Sequence, residues 1–353
     1  MNRKLSAIIL MIFSFLCVFL QKNNSYADSY QSSTSEIVME LNSNRVLYEH
    51  NIHSKKFMAS TTKILTALVV INNMNMSDII TVTSKTIGVE GSSIYLEEGE
   101  KLTVKELLYG LMLRSGNDCA ETLAVSCAGS IEAFAKLMNE CARDIGAKNS
   151  NFVNPHGLHD DNHYTTAYDL ALISCEAMKN DTFREIVGTK SVDISFSTRD
   201  YNRHLVNKNK MLKEFEGSTG IKTGFTKKAG RCLVSSCYRD GMELICVVLN
   251  SPQMFSRSKE LLSGSFDKYN NYFLVESDNI IGFTSDNSRE NIPLYIKNDI
   301  YLPLTEAEYK SLRIVYDYPD KLDKELKSDD CVGFIRFFIE NNLIFSEKIY
   351  TII

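Results

Sequence analysis

Extended and helical patterns of apolar residues alternate along the first part of the chain. Residues 36–41 and 46–48 are largely apolar runs on either side of the turn Asn42-Ser43-Asn44, and this arrangement predicts a β-hairpin. The hairpin leads into a segment in which apolar residues between 64 and 69 recur at helical spacing. That spacing predicts a buried helix beginning near Ser60.

Helical patterns continue as far as residue 173. Thr103 can cap a helix that runs to Met112, and Glu106 completes a capping box. A glycine and short polar residues at 114–118 interrupt the pattern, which predicts an elbow whose side chains project into a cleft. Helical spacing then resumes in three stretches, at 120–124, 131–138 and 166–173.

From residue 217 onward the pattern becomes that of strands. Strands are predicted at 220–225, 231–238 and 243–249, the last two joined by a hairpin turn, and a helix is predicted from Lys259 to Tyr272. Residues 276–291 are polar and rich in turns, as is typical of a linker. Further strands are predicted at 312–316, 332–339 and 343–345.

This order of elements predicts a mixed α/β (α+β) fold in two parts. The first part, at 28–275, combines a hairpin, several helices, three strands and a closing helix. The second, at 276–353, is a small β-rich C-terminal domain without a cluster of catalytic residues. No amphipathic helix follows it, so no C-terminal membrane anchor is predicted.

The N-terminus has the composition of a signal peptide. Arg3 and Lys4 precede a largely apolar run of 16 residues, and Ser25-Tyr26-Ala27 supplies a small-x-small cleavage site. Because the apolar run is shorter than the roughly 20 residues that span a bilayer, residues 1–27 are predicted to direct export and to be removed. An uncleaved membrane anchor is the alternative.

Acidic residues outnumber basic residues in the predicted mature chain. The full sequence has 39 basic and 44 acidic residues, and three of the basic ones (Arg3, Lys4 and Lys22) lie in the leader, which leaves a net charge near −8. No basic run stands out. Nucleic acid is therefore not expected as a partner.

The cysteines and histidines are more readily explained as structural residues than as disulfides or metal ligands. Eight cysteines remain without the leader, but most lie in apolar periodic segments, as Cys246 does, so buried thiols are favoured over disulfides. His156, His159 and His163 lie close together in a Pro-Gly turn that has no helix or hairpin to fix ligand geometry. No metal or cofactor is predicted. A Ser-His-Asp triad stays open, although no G-x-S-x-G occurs.

Ser60 and Lys63 are the first candidate catalytic pair. Residues three apart share a helical face, so Lys63 should lie against Ser60. Burial and the positive end of the helix dipole both oppose a charged lysine there. A neutral amine beside a hydroxyl is a nucleophile with its base, although the same residues also fit an N-cap serine on an ordinary core helix.

Two further elements follow along the chain. Ser115-Gly116-Asn117 lies at the predicted elbow, and its serine is 55 residues after Ser60. Lys222-Thr223-Gly224 lies on a predicted edge-like strand, and its lysine is 107 residues after Ser115. Lys222 and Thr223 offer a cation and a hydroxyl, while Gly224 would let another backbone approach the strand closely.

In this order, the three elements resemble those of the serine D-alanyl-D-alanine carboxypeptidases, the low-molecular-mass penicillin-binding proteins. The resemblance extends to Asn154-Pro155-His156-Gly157-Leu158 and to Phe225-Thr226, and it covers roughly residues 33–273. It implies a penicillin-binding-protein/β-lactamase-like transpeptidase domain, with an antiparallel sheet flanked by helices. The β-rich tail looks like the small C-terminal domain of many members, which usually continue into a membrane-binding helix that is not visible here.

The resemblance assigns the chemistry to residues of the first two elements. Ser60 would be the acylated nucleophile and Lys63 its general base. Ser115 would pass a proton towards the leaving D-alanine, and Asn117 would hold Lys63 and the substrate amide. An acyl transfer also needs an oxyanion site and an anchor for the substrate, and the third element supplies candidates for both.

In the third element, Lys222 and Thr223 would bind the terminal carboxylate of the substrate beside Gly224. The backbone N–H groups of Ser60 and Phe225 would form the oxyanion hole. The implied substrates are peptidoglycan stem peptides ending in D-Ala-D-Ala, the implied covalent inhibitors are β-lactam antibiotics, and the implied location is the cell-wall side of a bacterial membrane.

Two other functions stay open at this point. A β-lactamase shares the three elements, but it needs a way to deliver water rapidly to the acyl-enzyme, and no glutamate in the sequence can be assigned to that task. A non-catalytic cell-wall binding protein would have no need of both Ser60 and Lys63.

Overall fold

The computed structural model describes residues 33–277 and 279–353. The predicted signal peptide, residues 1–27, lies outside the described residues. So do residues 28–32 of the polar stretch 28–35 that follows it. Ser35, at the end of that stretch, is fully buried as the first residue of a strand.

The described chain is a mixture of strands and helices, as the patterns predict. The strands are β1 (Ser35–Glu40), β2 (Val46–His50), β3 (Ile79–Thr81), β4 (Lys101–Thr103), β5 (Ser191–Ile194), β6 (Arg203–Val206), β7 (Ser218–Thr226), β8 (Gly230–Arg239), β9 (Met242–Leu249), β10 (Asn270–Val275), β11 (Gly282–Thr284), β12 (Ile292–Tyr295), β13 (Ile300–Leu304), β14 (Leu312–Asp317), β15 (Cys331–Ile339) and β16 (Asn342–Thr351).

The helices lie mainly between β2 and β7. They are α1 (Lys63–Asn73), α2 (Val104–Tyr109), α3 (Asn117–Ala128), α4 (Ile131–Ile145), α5 (Ala167–Met178), α6 (Asp181–Gly188), α7 (Met211–Glu214), α8 (Met254–Lys268) and α9 (Glu306–Ser311). Short 3-10 turns occur at Ala59–Thr62 and Ser84–Thr86, and a π-helical turn occurs at Gly110–Arg114.

A five-stranded sheet carries the strand that matters for function. Its order is β2-β1-β9-β8-β7, so β7 lies at an edge. The sequence predicts that Lys222-Thr223-Gly224 lies on an edge-like strand, and the sheet order confirms this prediction. An edge strand leaves alternate backbone groups unpaired within its own sheet, where a ligand can pair with them.

Helix α1 is the central helix in the hydrophobic core of the first part of the chain. Its residues from Lys63 to Val70 are all buried, and it packs against α3, α4 and α5. Helix α2 begins with the predicted capping box, because Thr103 accepts a bond from the Glu106 N–H while the Glu106 side chain accepts one from the Thr103 N–H. These caps satisfy N–H groups that a helix start leaves without partners.

Contacts divide the chain into two compact units. The first contains the described residues up to Ile37, together with Glu49–Ser236 and Ile245–Lys259. The second contains Val38–Tyr48, Cys237–Leu244 and Glu260–Ile353. The domain boundary at residue 276 stays a prediction.

The second unit is rich in strands, as predicted. Its C-terminal sheet has the order β11-β12-β16-β15-β14, and Leu294, Ile335 and Phe337 are among the fully buried residues of its core. The segment predicted as a linker contains β11, which pairs with β12. Within the described residues, no helix is both long enough and apolar enough to cross a membrane.

The predicted helix from Lys259 to Tyr272 is displaced. Helix α8 starts five residues earlier, at Met254, and ends at Lys268, and Asn270–Val275 forms the strand β10 instead. Asn270 and Asn271 are poor helix formers, and the aromatic and branched residues after them favour pairing with β13. The apolar spacing alone does not separate these two structures.

Candidate active site

Ser60 and Lys63 lie side by side at the start of α1. The turn Ala59–Thr62 is 3-10 rather than α-helical, and the α-helix proper begins at Lys63. Because side chains three apart eclipse in a 3-10 turn, Lys63 Nζ comes within 3.0 Å of Ser60 Oγ. The predicted contact between the two residues is confirmed, on a tighter turn than the sequence suggests.

The Lys63 side chain is fully buried among neutral oxygen atoms. Besides Ser60 Oγ, its Nζ lies 2.7 Å from Asn117 Oδ1 and 2.7 Å from the carbonyl oxygen of His156. A neutral amine has two N–H donors and one lone pair. It can donate to the Asn117 and His156 oxygens while it accepts the hydroxyl proton of Ser60, whereas an ammonium would donate to all three oxygens, so the contacts accommodate both forms.

Electrostatics favour the neutral form of Lys63. Burial lowers the pKa of Lys63 well below that of a free lysine, and the nearby cation Lys222 lowers it further. Asp118 opposes these two effects without reversing them. A buried amine with a lowered pKa has the property that a general base requires at neutral pH.

Ser115 and Asn117 occupy the elbow between α2 and α3. The π-helical turn Gly110–Arg114 ends at Ser115, whose φ of +65° is left-handed. Such a conformation is unusual for a residue other than glycine and often marks a functional position. Asn117 directs Oδ1 to Lys63 and donates from Nδ2 to the carbonyl of Glu90. The elbow therefore brings Asn117 to Lys63, while Ser115 lines the same cavity as Ser60.

Asp118 supports this elbow, a role that the sequence analysis misses. Its carboxylate accepts hydrogen bonds from the backbone N–H groups of Ile94 and Leu96 and from the hydroxyl of Ser93. These bonds attach the loop around 90–96 to the start of α3. The only signal in the sequence is its position directly after Ser115-Gly116-Asn117.

The Lys222-Thr223-Gly224 segment of β7 runs directly beside the turn that carries Ser60. A Cβ atom at Gly224 would lie 3.0 Å from the Met58 carbonyl oxygen and 3.0 Å from the Ser60 nitrogen. The sequence predicts a close backbone approach at this glycine, and the backbone that approaches is that of the turn that carries Ser60. Glycine suits this position because a Cβ atom would push the strand and the Ser60 turn apart by a few tenths of an ångström.

Lys222 itself is only 2% exposed. Its Nζ donates to the carbonyl oxygen of Thr223 at 3.1 Å. Burial lowers the pKa of Lys222 to about 7, and the cation Lys208 contributes to the shift. Lys222 is therefore only partly protonated near neutral pH. A bound carboxylate would favour its charged form.

The segment that contains His156 and His163 packs against the Ser60 turn and Lys63. His156 holds Lys63 through its carbonyl oxygen rather than its ring. The ring of His163 accepts a bond from the Val153 N–H at Nδ1, and its Nε2 lies 2.8 Å from the hydroxyl of Thr62, which itself donates to the carbonyl of Ala59. His163 Nε2 therefore carries the hydrogen. Burial lowers the pKa of His163 to about 3, so the ring stays neutral and positions the Ser60 turn.

Ser60 opens into a cavity of about 340 Å³ in the first unit. The predicted residues Ser115, Thr223, Gly224 and Phe225 line it together with Ser60. Lys63 and Asn117 lie behind this lining, since Lys63 contacts Ser60 and Asn117 contacts Lys63. Further lining residues that the sequence analysis does not single out are Ser92, Lys208, Arg231, Met254 and Phe255. Sequence patterns do not reveal them because they come from two separate loops, the strand β8 and the start of helix α8.

No group of three or more His, Cys, Asp or Glu side chains in residues 33–277 and 279–353 has a geometry that could hold a metal ion. The cysteines in those ranges form no disulfide bonds, and Cys119, Cys175, Cys232, Cys237 and Cys246 are buried. The interpretation of most cysteines as small buried residues is confirmed for these five.

Two family models match this chain. Residues 22–253 match the family described as D-alanyl-D-alanine carboxypeptidase, and residues 275–352 match the C-terminal domain of penicillin-binding protein 5. The predicted order of a catalytic part followed by a β-rich part agrees with these two matches.

Curated proteins similar to the chain match it over most of its length. D-alanyl-D-alanine carboxypeptidase DacF of Bacillus subtilis is 32% identical over 285 residues, which are 78% of this chain and 73% of that protein. D-alanyl-D-alanine carboxypeptidase DacA of Escherichia coli K12 is 31% identical over 332 residues, or 88% of this chain and 80% of that protein.

Solved structures have the same fold. Penicillin-binding protein 5 from Haemophilus influenzae has a TM-score of 0.78 at 24% identity, covering 91% of this chain and 97% of that one. A mutant of the Streptomyces K15 DD-transpeptidase has a TM-score of 0.63 at 31% identity, covering 67% of this chain and 98% of that one. The fold prediction, with its penicillin-binding-protein-like domain and β-rich C-terminal part, is confirmed.

Proposed function

Because the chain belongs to the D-alanyl-D-alanine carboxypeptidase family, we propose that it releases the terminal D-alanine of its substrate through an acyl-enzyme on Ser60. The family assignment makes it a serine hydrolase of the penicillin-binding type. The observation that carries the proposed mechanism is the contact of Ser60 Oγ with a buried lysine amine, at 3.0 Å.

In the first step, Ser60 Oγ attacks the carbonyl carbon of the penultimate D-alanine while its proton moves to Lys63 Nζ. Asn117 and the His156 carbonyl keep the amine aimed at the hydroxyl, each at 2.7 Å. The tetrahedral intermediate then collapses, the C–N bond breaks, and the leaving D-alanine takes up a proton relayed through Ser115. Water later attacks the ester and restores the Ser60 hydroxyl.

The developing oxyanion would accept hydrogen bonds from the backbone N–H groups of Ser60 and Phe225. The close approach of Gly224 to the Ser60 nitrogen supports this pairing, since Phe225 is the next residue of β7. The terminal carboxylate of the substrate would lie at Thr223 and Lys222, where the hydroxyl and the ammonium can both donate to it.

The proposed substrates are peptidoglycan stem peptides ending in D-Ala-D-Ala, and β-lactams would acylate the same serine. The composition of residues 1–27 supports export to the cell-wall side of the membrane, where these substrates occur. The family assignment favours the carboxypeptidase over a β-lactamase or a non-catalytic wall-binding protein.

Intact-mass measurement of the mature protein with a penicillin, combined with an assay of D-alanine released from an acyl-D-Ala-D-Ala peptide, tests the proposal. The wild-type protein should form one long-lived adduct and release D-alanine, and Ser60→Ala should do neither while keeping its circular dichroism spectrum. Rapid penicillin turnover would indicate a β-lactamase instead. An adduct on the Ser60→Ala variant, mapped to Ser115 or to a cysteine, would rule out Ser60 as the nucleophile.

A further inference from the structure

The charged residues that line the Ser60 cavity within the described chain are both cations. They are Lys208 and Arg231, and the polar residues beside them are the hydroxyl groups of Ser60, Ser92, Ser115 and Thr223. In the part of the chain that the structure describes, no carboxylate is among the lining residues. A cavity with lining charges of one sign favours a ligand of the opposite sign, so the part of the substrate that enters here is anionic.

The cations near this cavity differ in how free they are to bind an anion. Lys222 is buried and donates to the carbonyl of its neighbour Thr223. Lys208 donates to the hydroxyl of Ser92 at 3.2 Å. Arg231 is exposed, and among residues 33–277 and 279–353 its guanidinium has neither a hydrogen bond nor an ion pair. Its N–H donors are therefore available to a ligand.

The position of Arg231 also suits it to bind a carboxylate in the cavity. It lies near the start of β8, the neighbour of β7, and its guanidinium carbon lies 5.7 Å from the centre of the Phe225 ring. Phe225 comes two residues after Thr223, and both line the cavity. Contact with an aromatic ring limits the motion of a guanidinium but leaves its N–H groups free to bind a carboxylate through two parallel hydrogen bonds.

We propose that Arg231 is a second, permanently charged anchor for the terminal carboxylate of the substrate and sets the preference for peptides with a free C-terminus. This inference rests on the proposed carboxypeptidase function and adds a residue to its binding site. Thr223 and Lys222 hold the carboxylate from β7, and Arg231 reaches it from β8.

The two cationic anchors respond differently to pH. The pKa of Lys222 is lowered to about 7, so that lysine loses its proton as the pH rises through neutrality unless a bound carboxylate holds it. An arginine keeps its charge throughout this range. Above pH 7, Arg231 therefore supplies a larger share of the positive charge that binds a free carboxylate.

A matched pair of substrates, an acyl-D-Ala-D-Ala peptide and the same peptide ending in D-alaninamide, tests the role of Arg231 in the full mature chain. For Arg231→Gln, KM for the carboxylate peptide should rise by roughly tenfold or more, as expected for the loss of charge-assisted hydrogen bonds. KM for the amide and kcat for both peptides should change by less than about threefold. Arg231→Lys should recover part of the loss.

The pH dependence gives a readout that a purely structural role would not alter. In Arg231→Gln, KM for the carboxylate peptide should increase as the pH rises above 7, whereas the wild-type value should change less. Lys228→Gln is the matched control, because Lys228 is an exposed cation in the turn between β7 and β8 and does not line the cavity. It should keep the wild-type preference for the carboxylate.

Equal losses on the carboxylate and amide peptides would overturn the inference, and so would an equal effect of Lys228→Gln. Stoichiometric acylation by a saturating penicillin shows that each variant is folded and that Ser60 is competent. If the wild type neither forms the adduct nor releases D-alanine, the proposed function fails. If it does both and Arg231→Gln keeps the carboxylate preference, only the role of Arg231 is wrong.

Discussion

Gly157 is the position where a single added methyl group should disturb the catalytic pair most. Its φ is +86°, and a Cβ atom there would lie 1.9 Å from the Ala59 carbonyl oxygen and 2.8 Å from Thr62 Oγ1. Ala59 directly precedes Ser60, and the carbonyl of His156, directly before Gly157, holds Lys63. The variant Gly157→Ala therefore pushes the segment that holds Lys63 against the turn that carries Ser60.

The size of the effect follows from these distances. Ordinary contact begins at 3.4 Å, so one backbone must move by about 1.5 Å to relieve the overlap with the Ala59 carbonyl oxygen (3.4 − 1.9). A misplacement of about 1 Å between reacting groups can reduce a rate by about 100-fold. We therefore expect Gly157→Ala to lower the acylation rate by at least about 100-fold.

The assay is the second-order rate of acylation by a penicillin, followed by intact mass, with circular dichroism and thermal unfolding on the same samples. Gly129→Ala is the matched control, because Gly129 has a φ of +82° and its Cβ would meet nothing within 4 Å. The control should lose about 1–2 kcal/mol of stability from the left-handed backbone alone and acylate normally. A folded Gly157→Ala variant with the acylation rate of Gly129→Ala would refute the reasoning.

Two further substitutions test the packing around Ser60. Gly224→Ala should lower acylation by roughly tenfold or more, because its Cβ would lie 3.0 Å from both the Met58 oxygen and the Ser60 nitrogen; unchanged acylation kinetics would show that β7 can retreat without harm. His163→Leu removes the donor to Thr62 and should slow acylation by roughly tenfold. Since the pKa of His163 is about 3, the acidic limb of the pH–rate profile should keep its midpoint, and a shifted midpoint would mean that His163 titrates in the reaction.

The sequence predicts the catalytic contacts well where they depend on local spacing. Ser60 and Lys63 are three residues apart, so any helical turn brings them together. The elbow at Ser115 and the edge position of Gly224 are likewise visible as a break in an apolar pattern and as a glycine within a strand pattern.

The sequence does not predict contacts that form between distant segments. The His156 carbonyl that holds Lys63 is a backbone atom, so the residue type gives no hint of its role. His163 and Asp118 act by orienting other groups, and their partners Thr62 and Ile94 are brought near only by the tertiary fold. The displaced end of α8 has another cause, since short apolar runs fit a helix and a strand equally well.

The pH dependence of acylation tests the central claim, that Lys63 is a neutral base beside Ser60, most directly. Protonated Lys63 cannot accept the Ser60 proton, so the acylation rate should fall as the pH is lowered through the pKa of Lys63. Because burial and Lys222 both lower that pKa, the midpoint should lie well below the 10.5 of an ordinary lysine. Lys63→Arg, which stays charged, should fold and show no measurable acylation. Rapid acylation by the arginine variant, or a wild-type midpoint at the ordinary lysine value, would contradict the account.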